Sequence, residues 1–295
     1  MENNDFIAKY YTAGLDRSAK AVMPEKAGRD VMRLMTGKVV GDVFAGDRKE
    51  ETGGKTAVKV VTCLLIVFVI PFFIIMGTFM FRHADHTAKE GFLRTLFSGR
   101  IYYMVSVLMV FVLQILFFAM YEKDGRKRMP GIIASMVAIN VVGRAAFFMF
   151  SDFKPVFAFT IISGIALGSI PGFMVGAFTM LVSNFLFGQG PWTPWQMLAL
   201  GMMGFLSGVL SEAGVIPKRR LTLSLYGFAV TVAVYGGIMN PAAMMLSVAE
   251  PDIKLLAAYY LSGLPVDIVK GVAAFIFLWL TAEPFLKKFE RLGKR

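Results

Sequence analysis

Residues 155–187 read PVFAFTIISGIALGSIPGFMVGAFTMLVSNFLF and hold no charged side chain. The stretch is apolar enough to sit in lipid, but it is not one helix. Gly168-Ser-Ile-Pro-Gly172 carries the composition of a turn, since glycine and proline punctuate local structure. The reading is therefore a hairpin: a short fourth span over 155–168 and a fifth that ends at Phe187. Apolar runs of the same kind recur at 57–81, 101–121, 130–150, 196–214, about 220–245 and about 256–283. Crossing a hydrocarbon core of roughly 30 Å takes about 20 such residues. The sequence thus predicts an all-α membrane protein with about eight transmembrane helices. Composition points the same way: 56% of 295 residues are hydrophobic and 17% charged. A disordered chain, a collagen and most soluble globular proteins are excluded by that balance.

Charge gives the orientation. The formal net charge is +11, and in a membrane protein such an excess is read first as topology. The turns KDGRKR at 123–128 and KRR at 218–220 are basic, as is the end, with Lys287, Lys288, Arg291, Lys294 and Arg295. The loops 151–154, 188–195 and 246–255 carry only Lys154 and Lys254 as basic residues, and the 82–100 loop is mixed. Eight spans with both termini in the cytoplasm satisfy the positive-inside rule, and seven do not. The excess charge calls for no nucleic-acid partner. Residues 1–55 mix both signs, contain no apolar core of a signal peptide and read as a cytoplasmic N-terminal segment. Val31, Leu34, Met35 and Val39 fall near helical spacing there.

Three features look like chemistry and are not. GGKT at 53–56 resembles the end of a phosphate-binding loop, but Lys49 stands where that loop needs a glycine, and a span follows at once. His83 and His86 sit three apart in one loop, too few for a metal cage. Cys63 is the single cysteine, which excludes an internal disulfide. The expected count of catalytic residues, metal ligands and bound cofactors is none, and the chain is not expected to be an enzyme.

Polar residues are costly in lipid and mark function or pairing. Arg144 lies in the outer half of the third span. Asp267 and Lys270 stand three apart on one face of the eighth, where they can pair. Ser183, Asn184 and Asn240-Pro241 bring further polar groups to the outer side. Small residues mark close helix packing: Gly164, Gly168, Gly172 and Gly176 recur at intervals of four, Gly204 and Gly208 repeat the spacing, and Ala134 and Ala138 form a pair in the third span.

The outer loop SNFLFGQGPWTPWQM, residues 183–197, concentrates two tryptophans, two prolines and two glycines. Pro191 and Pro194 stiffen it. Trp192 and Trp195 offer flat apolar faces with one donor each, and Gln189 and Gln196 offer amides. Such a set describes the rim of a small-molecule site or an interfacial aromatic belt.

The segment from Asn140 through this loop to Leu210, with YYLSGLPVDIVKGVAAF in the eighth span, resembles the substrate-binding membrane subunits (S components) of energy-coupling factor (ECF) transporters. The Gly-Gln-Gly-Pro-Trp-Thr-Pro-Trp-Gln-Met loop is most similar to the cobalamin-type branch. The resemblance covers about residues 130–290 and implies a six-helix core there. It leaves 56–129 as two additional helices with an outer loop and 291–295 as a cytoplasmic tail. It further implies a vitamin site open to the outside of a bacterial cytoplasmic membrane, with cobalamin or a related corrinoid favoured. The residues expected to line that site are Arg144, Asn184, Gln189, Trp192, Trp195, Gln196, Asn240 and Asp267. Ala134 and Ala138 match the face that docks a transmembrane coupling subunit. Two partner ATPases would hydrolyse ATP, so this chain would bind no cofactor itself. Two departures stand out: residues 1–129 exceed a minimal S component, and Lys270 stands where the family's last helix tends to carry a histidine. The rival reading is a self-sufficient secondary transporter, which predicts an inverted repeat that the sequence does not display; a purely structural subunit is the third.

Overall fold

The computed structural model describes residues 62, 64–72, 74–75, 128–216, 219–248 and 252–293, with backbone alone for 290–293. All of these fall in one compact unit, Glu50–Arg295. The N-terminal segment, GGKT, Cys63, both histidines, the 101–121 span and the 82–100 loop lie outside the described residues.

All regular structure among the described residues is helical. The helices are α1 (Met129–Ala146), α2 (Val156–Leu167), α3 (Ser169–Phe187), α4 (Thr193–Glu212), α5 (Arg220–Val230), α6 (Gly237–Ser247) and α7 (Ile253–Gly293). A π-helical turn, Thr231–Gly236, joins α5 to α6 without a break. Four segments are long and apolar enough to cross a membrane: Met129–Ala146, Ser169–Phe187, Arg220–Ser247 and Ile253–Phe289. These match the third, fifth, seventh and eighth expected spans, and the chain is a membrane protein. The other two expected spans in this region fall short of that standard. With 12 residues, α2 reaches about 18 Å at 1.5 Å per residue. In α4, Gln196 and glycines 201, 204 and 208 dilute the apolar character, because this helix packs inside the protein along most of its length.

The α2–α3 turn forms where the sequence places it. Gly168 adopts φ +102°, a backbone conformation that a side chain disfavours. Past that turn, α2, α3 and α4 meet backbone to backbone. A Cβ added to Gly172 would stand 2.5 Å from the Gly204 carbonyl oxygen, and one on Gly164 would strike the same oxygen. Gly176 meets the backbone at Leu200, and Gly208 meets it at Ser169. The intervals of four are therefore an internal seam. Most of α3 is buried by it.

The run 220–247 lies antiparallel to α7. Gly227 faces Leu278, Gly271 faces Phe228, Gly236 faces the Asp267 carboxylate, and Gly263 faces Asn240. Pro241 inside α6 has no N–H to give the carbonyl one turn back. The Tyr260 hydroxyl donates to that carbonyl, Gly237 O, at 2.8 Å. In the fragment of the first span, Ile66, Ile70 and Ile74 are buried and share the hydrophobic core with Ile133, Met136 and Val137, while Phe68 and Phe72 are exposed.

If the seam sets the fold, Gly204→Leu will prevent recovery of monodisperse protein in mild detergent, or lower its melting temperature sharply, since overpacking typically costs about 1–3 kcal/mol and more against rigid backbone. Gly131→Ala meets nothing within 4 Å and will leave the melting temperature unchanged or raised.

Candidate functional site

The polar groups of α1, α3 and α4 meet at the end of the bundle that carries the 188–192 turn. Arg144 Nη1 donates to Asn184 Oδ1 at 2.9 Å, to Ser183 Oγ and to Met180 Sδ at 3.4 Å. The guanidinium carbon also stands 4.9 Å from the centre of the Phe187 ring. Asn184 is buried, and its Nδ2 donates to Thr193 Oγ1 at 3.0 Å and Gln196 Oε1 at 2.8 Å. Thr193 Oγ1 in turn donates to Gln189 Oε1 at 3.0 Å and accepts the Gly190 N–H at 3.2 Å. Gln189 Nε2 reaches back to the Leu181 carbonyl at 3.0 Å. One amide at the end of α3 thus ties an arginine of α1 to the turn and to the first residues of α4.

The turn itself is built by Gly188, with φ +101°, and by the Thr193 N–H donating to the Gly190 carbonyl at 2.8 Å. The two tryptophans part company. Trp192 is 43% exposed and lies against Gly190, while Trp195 is 3% exposed within the core. Trp195 Nε1 has no acceptor among the described residues. So the rim expected from two aromatic faces presents one face at the surface and, beneath it, one buried donor.

Asn240 and Asp267 belong to a second network, on the 220–247 helix and α7. Asn240 Nδ2 donates to Asp267 Oδ2 at 2.8 Å, and Lys270 Nζ donates to Asp267 Oδ1 at 3.1 Å. Lys270 also lies 3.8 Å from Asp152 in the α1–α2 loop and 5.5 Å from the centre of the Tyr235 ring. Asp267 therefore pairs with Lys270, as its i,i+3 spacing allows. No hydrogen bond joins it to Arg144 among the described residues, so six of the eight expected residues form two networks rather than one, and the two tryptophans belong to neither.

Sequence reasoning passed over Thr193, the hub of the turn, because a threonine beside a tryptophan carries no signal of its own. Asn140 was missed too. It is fully buried one turn before Arg144, with neither amide atom paired among the described residues; an asparagine inside an apolar run was the available clue. On the opposite face of α1, Ala134 and Ala138 are exposed, with Ile139 and Val142 beside them.

Asn184→Ala removes the shared partner of Arg144, Thr193 and Gln196. Buried groups left unpaired cost about 1–3 kcal/mol each. The variant will melt at lower temperature, and limited proteolysis will cut first in the 188–192 turn; wild-type protection of that turn would show that the network does not hold it.

Neither the curated proteins nor the solved structures contain a match to this chain. A comparison with protein families matches residues 127–280 to the family described as ECF transporter, substrate-specific component. That match takes in more than half of the chain, including both networks and the exposed alanine face. Its members are substrate-binding transport subunits that work with the other subunits of an ECF module, and the chain belongs to this family.

Proposed function

We propose that the chain captures a vitamin, with cobalamin or a related corrinoid favoured, for ATP-driven uptake powered by partner subunits. The observation that carries this reading is the turn 188–192. It is stiffened by Pro191, braced from below by Asn184 and Thr193, and presents the exposed indole of Trp192. A pre-organised aromatic loses little freedom when a ligand covers it. A corrinoid has a broad ring plane and amide arms, which suit an indole face and the amide of Gln196. The likeness of the loop motif to the cobalamin-type branch supports the same choice.

In this reading the turn faces the outside of a bacterial cytoplasmic membrane and both termini face the cytoplasm. The exposed face of Ala134 and Ala138 docks the transmembrane coupling subunit, because small residues let a partner helix approach closely. Two ATPases hydrolyse ATP, and this chain holds no cofactor.

The test is ligand retention. The chain, purified in mild detergent from cells fed mixed vitamins, will carry a corrinoid detectable by visible absorbance and mass spectrometry; another vitamin in its place would discard the substrate. Uptake that follows an ion gradient instead of ATP would favour a secondary transporter. Trp192→Ala will weaken corrinoid binding at least about tenfold, equivalent to ~1.4 kcal/mol. Ala134→Trp will abolish co-purification of the coupling subunit while corrinoid affinity stays at the wild-type value.

A further inference from the structure

Three cations and two carboxylates gather where the α1–α2 loop meets the end of α3 and the middle of α7, and their pairing is uneven. Lys270 engages both carboxylates, Asp267 at 3.1 Å and Asp152 at 3.8 Å. Among the described residues, Arg144 is left with neutral hydrogen-bond partners only: Ser183, Asn184 and Met180. Lys154 has no carboxylate within ion-pair distance among the described residues. Instead, its Nζ lies 5.9 Å from the centre of the Phe187 ring, the same ring that Arg144 approaches to 4.9 Å.

That arrangement is costly as it stands. A charge withdrawn from water needs a counter-charge, and hydrogen bonds to neutral groups replace only part of its hydration. Partial burial, and then the Arg144 charge, hold the Lys154 pKa below the ordinary lysine range, with Asp152 opposing and Lys270 adding to the effect. A ring face stabilises a cation only weakly, too little to replace an anion between two of them. Phe148 stacks on Phe187 with centroids 5.5 Å apart and closes part of the remaining ring surface. The site is therefore bounded by aromatic carbon and holds two positive groups with no carboxylate in ion-pair contact among the described residues, Asp152 acting on Lys154 only at longer range.

We propose that Arg144 and Lys154 together form a subsite for a phosphate-type oxyanion beside the Phe187 ring. The subsite rests on the reading of this end of the bundle as ligand-binding and adds the charge of what binds there. The guanidinium supplies directional N–H donors and the ammonium a second charge, the combination that makes charge-assisted bonds to an oxyanion strong. The oxyanion has two possible sources. One is an anionic group on the transported solute. The other is a lipid headgroup, reached past the exposed side chains of Phe148, Met149 and Phe150.

The experiment titrates dimethyl phosphate into the purified full-length chain in neutral detergent, against ionic-strength-matched chloride, and follows thermal unfolding. Wild type will be stabilised, and Lys154→Gln will need at least about tenfold more dimethyl phosphate for the same shift. Lys154→Arg will respond like wild type, and so will Lys254→Gln, which removes an exposed lysine elsewhere. Lys154 lies in a loop, so its variants report even if Arg144→Gln fails to fold. A second arm compares mixed micelles with phosphatidylglycerol or phosphatidylcholine. Stabilisation by phosphatidylglycerol that is lost in Lys154→Gln assigns the subsite to lipid; a response to dimethyl phosphate alone assigns it to the solute. No stabilisation by either anion, or equal stabilisation of Lys154→Gln, overturns the proposal. Cyanocobalamin binding is measured on the same samples. An anion response without corrinoid binding sinks the corrinoid reading and leaves the subsite, whereas corrinoid binding without an anion response sinks the subsite alone.

Discussion

The contact of Gly164 and Gly172 with the backbone at Gly204 sets how closely α2, α3 and α4 approach. In lipid there is no hydrophobic drive to press helices together, so packing rests on van der Waals contact and hydrogen bonds. Three helices that touch through backbone atoms gain that contact over their full width. The approach has a consequence at the far end of α3. With the two axes close at Gly172 and Gly204, the last turn of α3 and the first of α4 stay near enough for Asn184 to reach Thr193 and Gln196 directly. A seam of missing side chains in one half of the bundle thus positions a hydrogen-bond hub in the other.

The polar groups in this protein fall into two classes by how completely they are answered. Asn184, Thr193 and Gln189 form a network with its donors and acceptors engaged, which rigidifies the turn they hold. Arg144, Lys154, Asn140 and Trp195 Nε1 keep charge or donors that the described protein atoms answer partly or not at all. That network lies directly under the turn. The residues that hold the turn and those left with unanswered charge or donors are therefore different ones.

Much of this was legible in the sequence, and the limits have physical causes. The hairpin at Gly168 could be read because a Gly-Ser-Ile-Pro-Gly run inside an apolar stretch admits few other conformations. The pairing of Asp267 with Lys270 could be read because both lie on one helix face. Arg144, Asn184, Gln189 and Gln196 stood out as polar residues in or beside apolar spans, and all four fall in one network. The separation of Asn240 and Asp267 from that network could not be read, since it depends on which helix lies beside α7. Nor could the opposite fates of Trp192 and Trp195: both are aromatic, three positions apart, and only the lie of α4 against α3 decides which is covered. The same holds for Lys154, which the sequence shows as a loop charge and the structure sets over an aromatic ring. Residues 56–129 lie largely outside the described part of the chain, so the two additional helices expected there remain an expectation.

The bond from Tyr260 to the Gly237 carbonyl links two positions that share no sequence signal. Pro241 creates an acceptor that its own helix cannot serve, and Tyr260 on α7 serves it from across the interface. Across natural variants of this chain, the hydroxyl at 260 should therefore be less favoured wherever position 241 regains an N–H, and more favoured wherever it does not. The two positions would then drift together through evolution as one unit, tied by a single oxygen atom.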